Sequence, residues 1–259
     1  MTQRIVNDFS ITVGTANGSG SQTSNVTILY ALFKMGIPVS GKNLLPSNIQ
    51  GLPTWYTIRV NKDGFTARRD EQEIVVAINP ASFVRDLANV APGGVFYYDD
   101  SIKLPVTRDD ITAYAMPVKE LVRKNPNVPS TMRDQVGNMV YVGVLAQMLG
   151  IDLEKINAAL SFHFKGKQQP TDLNFNIVKA AAEWAKEVAL MVPSAAQTLR
   201  KTAYAIWQRD RTPDGYFGPD WDGVPGGQKS RWTREGVVAQ QSMTSASAAN
   251  VLVAAASLP

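Results

Sequence analysis

The sequence predicts a three-layer α/β domain with helices added after it and an extended tail. Three observations carry that expectation. Short apolar or alternating runs recur through the first part of the chain, among them DFSITVGT (8–15) and EIVVAI (73–78), with helical spacing in the segments between. From about Met132 the apolar residues fall at helical intervals only. After Arg209 neither period persists, and Gly, Pro and aromatic residues crowd DRTPDGYFGPDWDGVPGGQKSRW. Strands alternating with helices, then helices alone, suggest a sheet covered on both faces with a helical region appended.

The elements follow in order. The first strand, 8–15, ends in a loop of Gly, Ser and Asn. A helix follows over 22–35, with Val26, Leu29, Tyr30 and Phe33 on one stripe and Gly36 as its stop. From Gly41 to Pro53 the punctuation by Gly and Pro predicts an ordered loop. Residues 55–60 and 65–68 flank Lys62-Asp63-Gly64, a hairpin signal. A buried strand is expected over 73–78 and a short helix over 81–90. The turn Pro92-Gly93-Gly94 leads into a strand at 95–98, and another lies at 111–116. Helices are expected over 132–149, 153–162 and 173–191.

Composition bounds the function. Of 259 residues, 44% are hydrophobic and 19% charged, enough to bury the core of one large or two small domains. The net charge is +4, but Lys and Arg are scattered, so a nucleic-acid patch is weakly supported and attraction to an anionic ligand or acidic partner fits as well. There is no cysteine, which excludes cysteine-ligated zinc and iron–sulfur clusters in this sequence. MTQRIVNDFS lacks an apolar signal core, and no apolar run approaches the ~20 residues of a membrane span, so a cytoplasmic location is the default expectation.

The best local candidate for chemistry is Gly14-Thr15-Ala16-Asn17-Gly18-Ser19-Gly20-Ser21-Gln22. Glycines admit a ligand to the backbone, the following helix presents unpaired N–H groups, and Ser19, Ser21 and Gln22 add neutral donors: the physics of a phosphate cradle. The pattern is neither a P-loop nor a clean GxGxxG, and a plain strand-to-helix turn accounts for it equally well. A second candidate is Gly41-Lys42-Asn43 with Pro46-Ser47-Asn48-Ile49-Gln50-Gly51. Here Lys42 supplies charge to a phosphate and the amides and hydroxyl supply directed bonds; a self-satisfied surface loop is the competing reading. His163 is the only histidine and has no catalytic companions, so it is left out of the site. Asp99, Asp100, Asp109 and Asp110 read as turn caps. Lys165 and Lys167 read as a solvated turn or a docking surface. Trp207, Tyr216, Phe217, Trp221 and Trp232 read as anchors of an extended arm. The uncharged stretch 236–259 after them leaves both a flexible tail and an arm ordered on a partner open.

GTANGSGSQ, MGIPVSGKNLLPSNIQGLPTWYTIRV, EIVVAINP, PGGVFYYDD, NMVYVGVLAQMLGI and HFKGKQQPTDLN together resemble the γ domain of the 2-oxoacid:ferredoxin oxidoreductases, most closely its 2-oxoglutarate-type branch. The resemblance spans about Asp8 to Trp184, and its most specific part is Lys42 to Tyr56. It implies a Rossmann-like γ (catalytic-lid) domain over 1–192 and a helical and extended arm over 193–259 contacting partner subunits. It also implies membership of a hetero-oligomer that oxidatively decarboxylates a 2-oxoacid to an acyl-CoA. Thiamine diphosphate, Mg and iron–sulfur clusters are implied on partner α and β subunits, with ferredoxin or another module accepting the electrons. Within this chain the resemblance implies no catalytic residue and no metal ligand. Gly18, Ser19, Gly20 and Lys42 would face coenzyme A phosphates, with Ser47 and Asn48 lining the approach. Two departures stand out: the α domain that usually follows is absent, and the tail from Arg209 has no counterpart. A stand-alone nucleotide-binding regulatory domain and a purely structural assembly subunit are the alternatives.

Overall fold

A computed structural model describes residues 8–46, 49–61, 63–70 and 72–191, with the backbone of 242–244 and 248–251. One mixed sheet organises the chain. Its strands are β1 (Asp8–Ala16), β2 (Val39–Leu44), β3 (Pro53–Asn61), β4 (Gln72–Ala77), β5 (Val90–Asp99), β6 (Thr112–Met116), β7 (Ser242–Thr244) and β8 (Ala248–Val251). They run in the order β6-β5-β4-β1-β3-β2-β8-β7. β1 lies parallel to β4, which is parallel to β5, and β5 to β6; β3 is antiparallel to both β1 and β2. The carboxyl ends of β1, β2, β4, β5 and β6 therefore share one edge of the sheet.

Seven helices are described: α1 (Ser21–Lys34), α2 (Phe83–Ala88), α3 (Val118–Arg123), α4 (Arg133–Gly137), α5 (Met139–Leu149), α6 (Leu153–His163) and α7 (Gln168–Met191). The alternation along each strand decides the layers. Ile11, Val13, Tyr56, Ile58, Ile74 and Val76 point to the larger core, shared with α1, α5, α6 and α7. Val75, Ala77 and Phe96 point the other way, to a smaller core under Phe83 and Leu87 of α2. The three layers are thus unequal. α5 is apolar nearly all round, as a helix must be when it is buried in the larger core with helices around it, α7 foremost.

Several expectations change. The stretch after Gly41 is not wholly a loop: 41–44 belong to β2, although Gly, Lys and Asn are weak strand formers. Tertiary packing overrides propensity here, because a side chain at Gly41 would collide with the ring of Tyr56 and come within 3.0 Å of Leu29. The hairpin across Lys62-Asp63-Gly64 does not form. β3 already has β1 and β2 on its two edges, so 65–68 find no strand to pair. Asn61 instead closes the turn, its Oδ1 accepting from the N–H groups of Asp63 and Phe65, both at 3.0 Å. Pro92, Gly93 and Gly94 lie inside β5, at a register irregularity. The helix expected over 132–149 breaks into a 3-10 turn at Ser130–Met132, α4 and α5, and α3 was not foreseen. The arm proposed for 193–259, with its five aromatics, lies outside the described residues except for β7 and β8. These two pair with each other, and β8 pairs with β2 at Gly41 and Lys42.

The α5–α7 contact depends on Gly143. A Cβ there would run into the carbonyl oxygen of Val178 and stand 2.7 Å from the Cβ of Ala181. Gly143→Ala is therefore expected to lower stability by about 1–3 kcal/mol, overpacking outweighing a helix-propensity gain of up to ~1 kcal/mol. Urea denaturation monitored by circular dichroism checks this; a midpoint at or above wild type would contradict the packing.

Candidate functional site

The glycine loop sits at the carboxyl edge of β1, where ligands bind in open α/β sheets. Its shape follows from three approaches. At Gly14 the backbone passes against the Asp86 carboxylate of α2, whose Cγ lies 2.9 Å from where a Cβ would stand. Gly18 and Gly20 have φ of 81° and 82°, the left-handed region that glycine enters without a Cβ penalty. A side chain at Gly18 would also stand 3.1 Å from Cγ of Gln50.

Gly20 is the N-cap of α1 and provides no side-chain cap; the first turn holds no acidic residue. The helix start therefore keeps its partial positive charge uncompensated from within α1. Ser19 Oγ is buried and has no hydrogen-bond partner. Thr15 Oγ1 and Ser21 Oγ lie 2.8 Å apart and brace the two sides of the loop.

Two neighbouring segments hold the loop in place. Asn17 N–H donates to Leu52 O at 2.8 Å, and Gly51 N–H donates to Asn17 O at 2.9 Å. The Asn17 side chain reaches Ile49 O at 3.2 Å. On the other flank, Asn138 Nδ2 donates to Ser19 O at 2.8 Å from the break between α4 and α5. The Tyr141 hydroxyl adds a bond to Asn25 at 2.8 Å. The helix break thus has a positional use: it aims Asn138 at the loop.

The expected site residues do not all meet. Gly18, Ser19 and Gly20 form one cradle. Ser47 and Asn48 lie outside the described residues, although their neighbours 49–52 are zipped to Asn17. Lys42 is elsewhere. Gly41 faces Tyr56 and Leu29, and Asn43 donates to Gln22 of α1 at 3.3 Å, so alternation sends Lys42 to the opposite face of the sheet. Its register partner across β3 is Thr57, itself paired with Thr12, four residues and about 13 Å short of the end of β1. Asn17, Gln50 and Asn138 are the residues missed beforehand. Asn17 and Gln50 were inside quoted motifs; Asn138, 119 positions from its acceptor, gave no local signal.

Of the carboxylates expected as turn caps, Asp99 acts as one and Asp110 forms an ion pair instead. Asp99 Oδ1 caps the N–H of Ser101 at 2.8 Å, and Asp110 makes a two-armed pair with Arg108 at 2.8 and 2.5 Å. His163 Nε2 lies 3.2 Å from Thr23 Oγ1, in the first turn of α1. Among the described residues no cluster of His, Asp or Glu could hold a metal ion, and no helix is long and apolar enough to cross a membrane.

The titrating group nearest the loop is Asp86, 1% exposed. Burial pushes its pKa up to about 6. Trp55 Nε1 donates at 2.6 Å and Ser82 Oγ at 2.7 Å, and Arg85 stacks over the Trp55 ring at 4.2 Å; all three favour the charged form and temper the rise.

The geometry defines an α/β domain with a glycine loop braced at the carboxyl edge of its sheet. Residues 10–184 match the family described as pyruvate ferredoxin/flavodoxin oxidoreductase, and the chain belongs to that family as a γ-type domain of the 2-oxoacid:ferredoxin oxidoreductases. It is 31% identical over 118 residues, 46% of its length, to the ketoisovalerate oxidoreductase subunit VorA of Methanothermobacter thermautotrophicus, covering 24% of that protein. It is 21% identical to the α subunit of 2-oxoacid:ferredoxin oxidoreductase 2 from Aeropyrum pernix, over 70% of this chain and 34% of that one. The chain thus spans between a quarter and a third of these relatives. Among solved structures it resembles the 2-oxoglutarate:ferredoxin oxidoreductase of Magnetococcus marinus, with 2-oxoglutarate, coenzyme A and succinyl-CoA bound. That similarity has a TM-score of 0.62 at 21% identity and covers 70% of this chain and 31% of that one. It also resembles the γ subunit of a keto/oxoacid ferredoxin oxidoreductase from Geobacter sulfurreducens. Here the TM-score is 0.56 at 16% identity, with 69% of this chain and 99% of that one covered.

Asp86 generates a test of the frame beneath the loop. Its folded pKa, near 6, exceeds the unfolded value of about 3.9, so the native state holds the extra proton between those values. Stability is therefore expected to fall by about 2–3 kcal/mol as pH rises from ~4 to ~6, and to level off above that, as far as this group contributes. Asp86→Asn keeps an acceptor for Trp55 and should remove that part of the slope. Denaturation curves across this range check it; identical slopes in both proteins would contradict the assignment.

Proposed function

We propose that this chain is the γ subunit or domain of a thiamine-dependent 2-oxoacid:ferredoxin (acceptor) oxidoreductase, closing over coenzyme A and contributing assembly contacts. The observation that carries the coenzyme A role is the cradle itself: an uncapped helix start, two glycines at positive φ and the unpartnered buried hydroxyl of Ser19. A phosphate oxygen offers that hydroxyl an acceptor and meets the helix start with the charge it favours. The coenzyme A recorded in the Magnetococcus marinus structure supports the same reading.

The reaction belongs to the whole assembly: oxidative decarboxylation of a 2-oxoacid, with 2-oxoglutarate favoured, to an acyl-CoA. Partner α and β subunits would supply thiamine diphosphate, Mg and iron–sulfur clusters, and ferredoxin or another acceptor module would take the electrons. The chain has no cysteine to ligate a cluster. In this division its own residues bind and exclude: the Ser19 hydroxyl and the backbone N–H groups of Gly18 and Gly20 hold the phosphates, while the loop around 47–52 screens the approach. The thiamine and the clusters carry the chemistry.

Gly18→Val tests the cradle. A branched side chain at φ 81° would crowd Gln50 and stand where a ligand must approach. In the assembled enzyme the apparent KM for coenzyme A is expected to rise at least tenfold, with the KM for the 2-oxoacid changed less than twofold. Lys42→Ala, from the far face of the sheet, should leave both within twofold, whereas a charge-assisted phosphate contact would be worth ~1.5–3 kcal/mol, roughly ten- to a hundredfold. A normally assembled Gly18→Val enzyme with wild-type coenzyme A kinetics would remove the loop from the site. A large Lys42 effect would return that residue to it.

A further inference from the structure

Away from the glycine loop, α1 and α6 leave a groove of about 750 Å³ between them. Its floor is apolar, built by Val26, Ala158 and Ala159. Tyr30 and Phe162 stack across it with ring centroids 4.9 Å apart, yet Phe162 remains 56% exposed. A large aromatic ring held in place and still in water marks an anchor point rather than a core residue.

The rim is cationic. Lys34 at the end of α1 and Lys165 beyond α6 line the groove, His163 lines it as well, and among the described residues no acidic one does. Burial, and then the neighbouring Lys155, press the Lys34 ammonium below its ordinary pKa. An anion arriving there would relieve that repulsion. Lys165 adopts φ of 54°, alone among the described non-glycine residues in the left-handed region, on a turn continued by Gly166 and Lys167. Along α1 the groove runs from Val26 to Lys34, about 12 Å. That length and volume suit several residues of polypeptide. Two or three cations are too few to track a nucleic-acid backbone, whose binders neutralise roughly 6–10 phosphates.

We infer that the α1–α6 groove docks an acidic segment of another polypeptide of the oxidoreductase assembly, which places an aromatic or aliphatic side chain against Phe162 and Tyr30. The inference rests on the proposed function, since the partner is one of the subunits that reading requires. Charge complementarity selects the occupant: apolar floor to apolar anchor, lysine rim to carboxylates. The chain's coverage of only a quarter to a third of its curated relatives leaves ample polypeptide to supply such a segment.

The test compares hydrogen exchange of the full chain, alone and in the assembly that copurifies with it, and measures association of variants. Expected are slower exchange at residues 26–34 and 157–167 in the assembly, and association at least tenfold weaker for Phe162→Asp and for Lys34→Glu. Phe162→Leu should retain wild-type binding, and added salt should weaken the wild type while sparing Lys34→Glu. Lys165→Glu, at an exposed turn, carries the charge test should Phe162→Asp lower the melting temperature. An assembly that forms with unchanged groove exchange and wild-type affinity in the variants overturns the groove while leaving the proposed function standing. Failure of any thiamine- or cluster-bearing polypeptide to copurify overturns both. Protection already present in the dilute isolated chain, or arising from self-association alone, assigns the groove to the chain itself or to a second copy and overturns the partner assignment.

Discussion

The carboxyl end of β1 passes a buried carboxylate on one side and must turn into α1 on the other, and this crowding constrains everything around it. Gly14 yields to Asp86, and Gly18 and Gly20 supply the left-handed backbone that starts α1 immediately. With that turn fixed, α1 lies on the larger core, and its uncapped first turn faces the shared edge of the sheet. Asp86 is in turn held by Trp55 and Ser82, so β3 and α2 are tied to the same point. A buried carboxylate is costly to keep, and its raised pKa is the measure of that cost. It tolerates the site because two donors aim at it.

The loop is positioned from three directions at once. Residues 49–52 clamp Asn17, Asn138 holds Ser19 from the break between two helices, and the Thr15–Ser21 pair closes the base. None of these contacts consumes the Ser19 hydroxyl or caps Gly20. The scaffold uses the loop's carbonyls, its flanks and the N–H groups of Asn17 and Ser19, and leaves the Ser19 hydroxyl without a partner. An unpartnered hydroxyl held by a braced backbone is what the proposed anion site needs.

Strands and helices with a clean period were legible beforehand: β1, α1, β4, α6 and most of α7 lie where alternation or helical spacing puts them. β2 was not, because Gly41, Lys42 and Asn43 have poor strand propensity and owe their conformation to Tyr56 and Leu29 packed against them. The false hairpin at 62–64 has the same cause in reverse, since turn chemistry cannot make a strand where β3 has no edge left. For the site, the glycine loop could be read from residue types, while its partners depended on register. Lys42 looked like a phosphate ligand from its neighbours in sequence, yet strand alternation turns it to the other face. Asn138 came from a distant helix break that periodicity had smoothed into one long helix.

The proposed function makes this γ-type domain one part of a larger machine. Native mass spectrometry of the particle purified through this chain, with its cofactor content, asks that most directly. The expected result is a hetero-oligomer in which this chain accompanies polypeptides carrying thiamine diphosphate and iron–sulfur clusters. A chain that remains alone, or joins only subunits free of both, would contradict it.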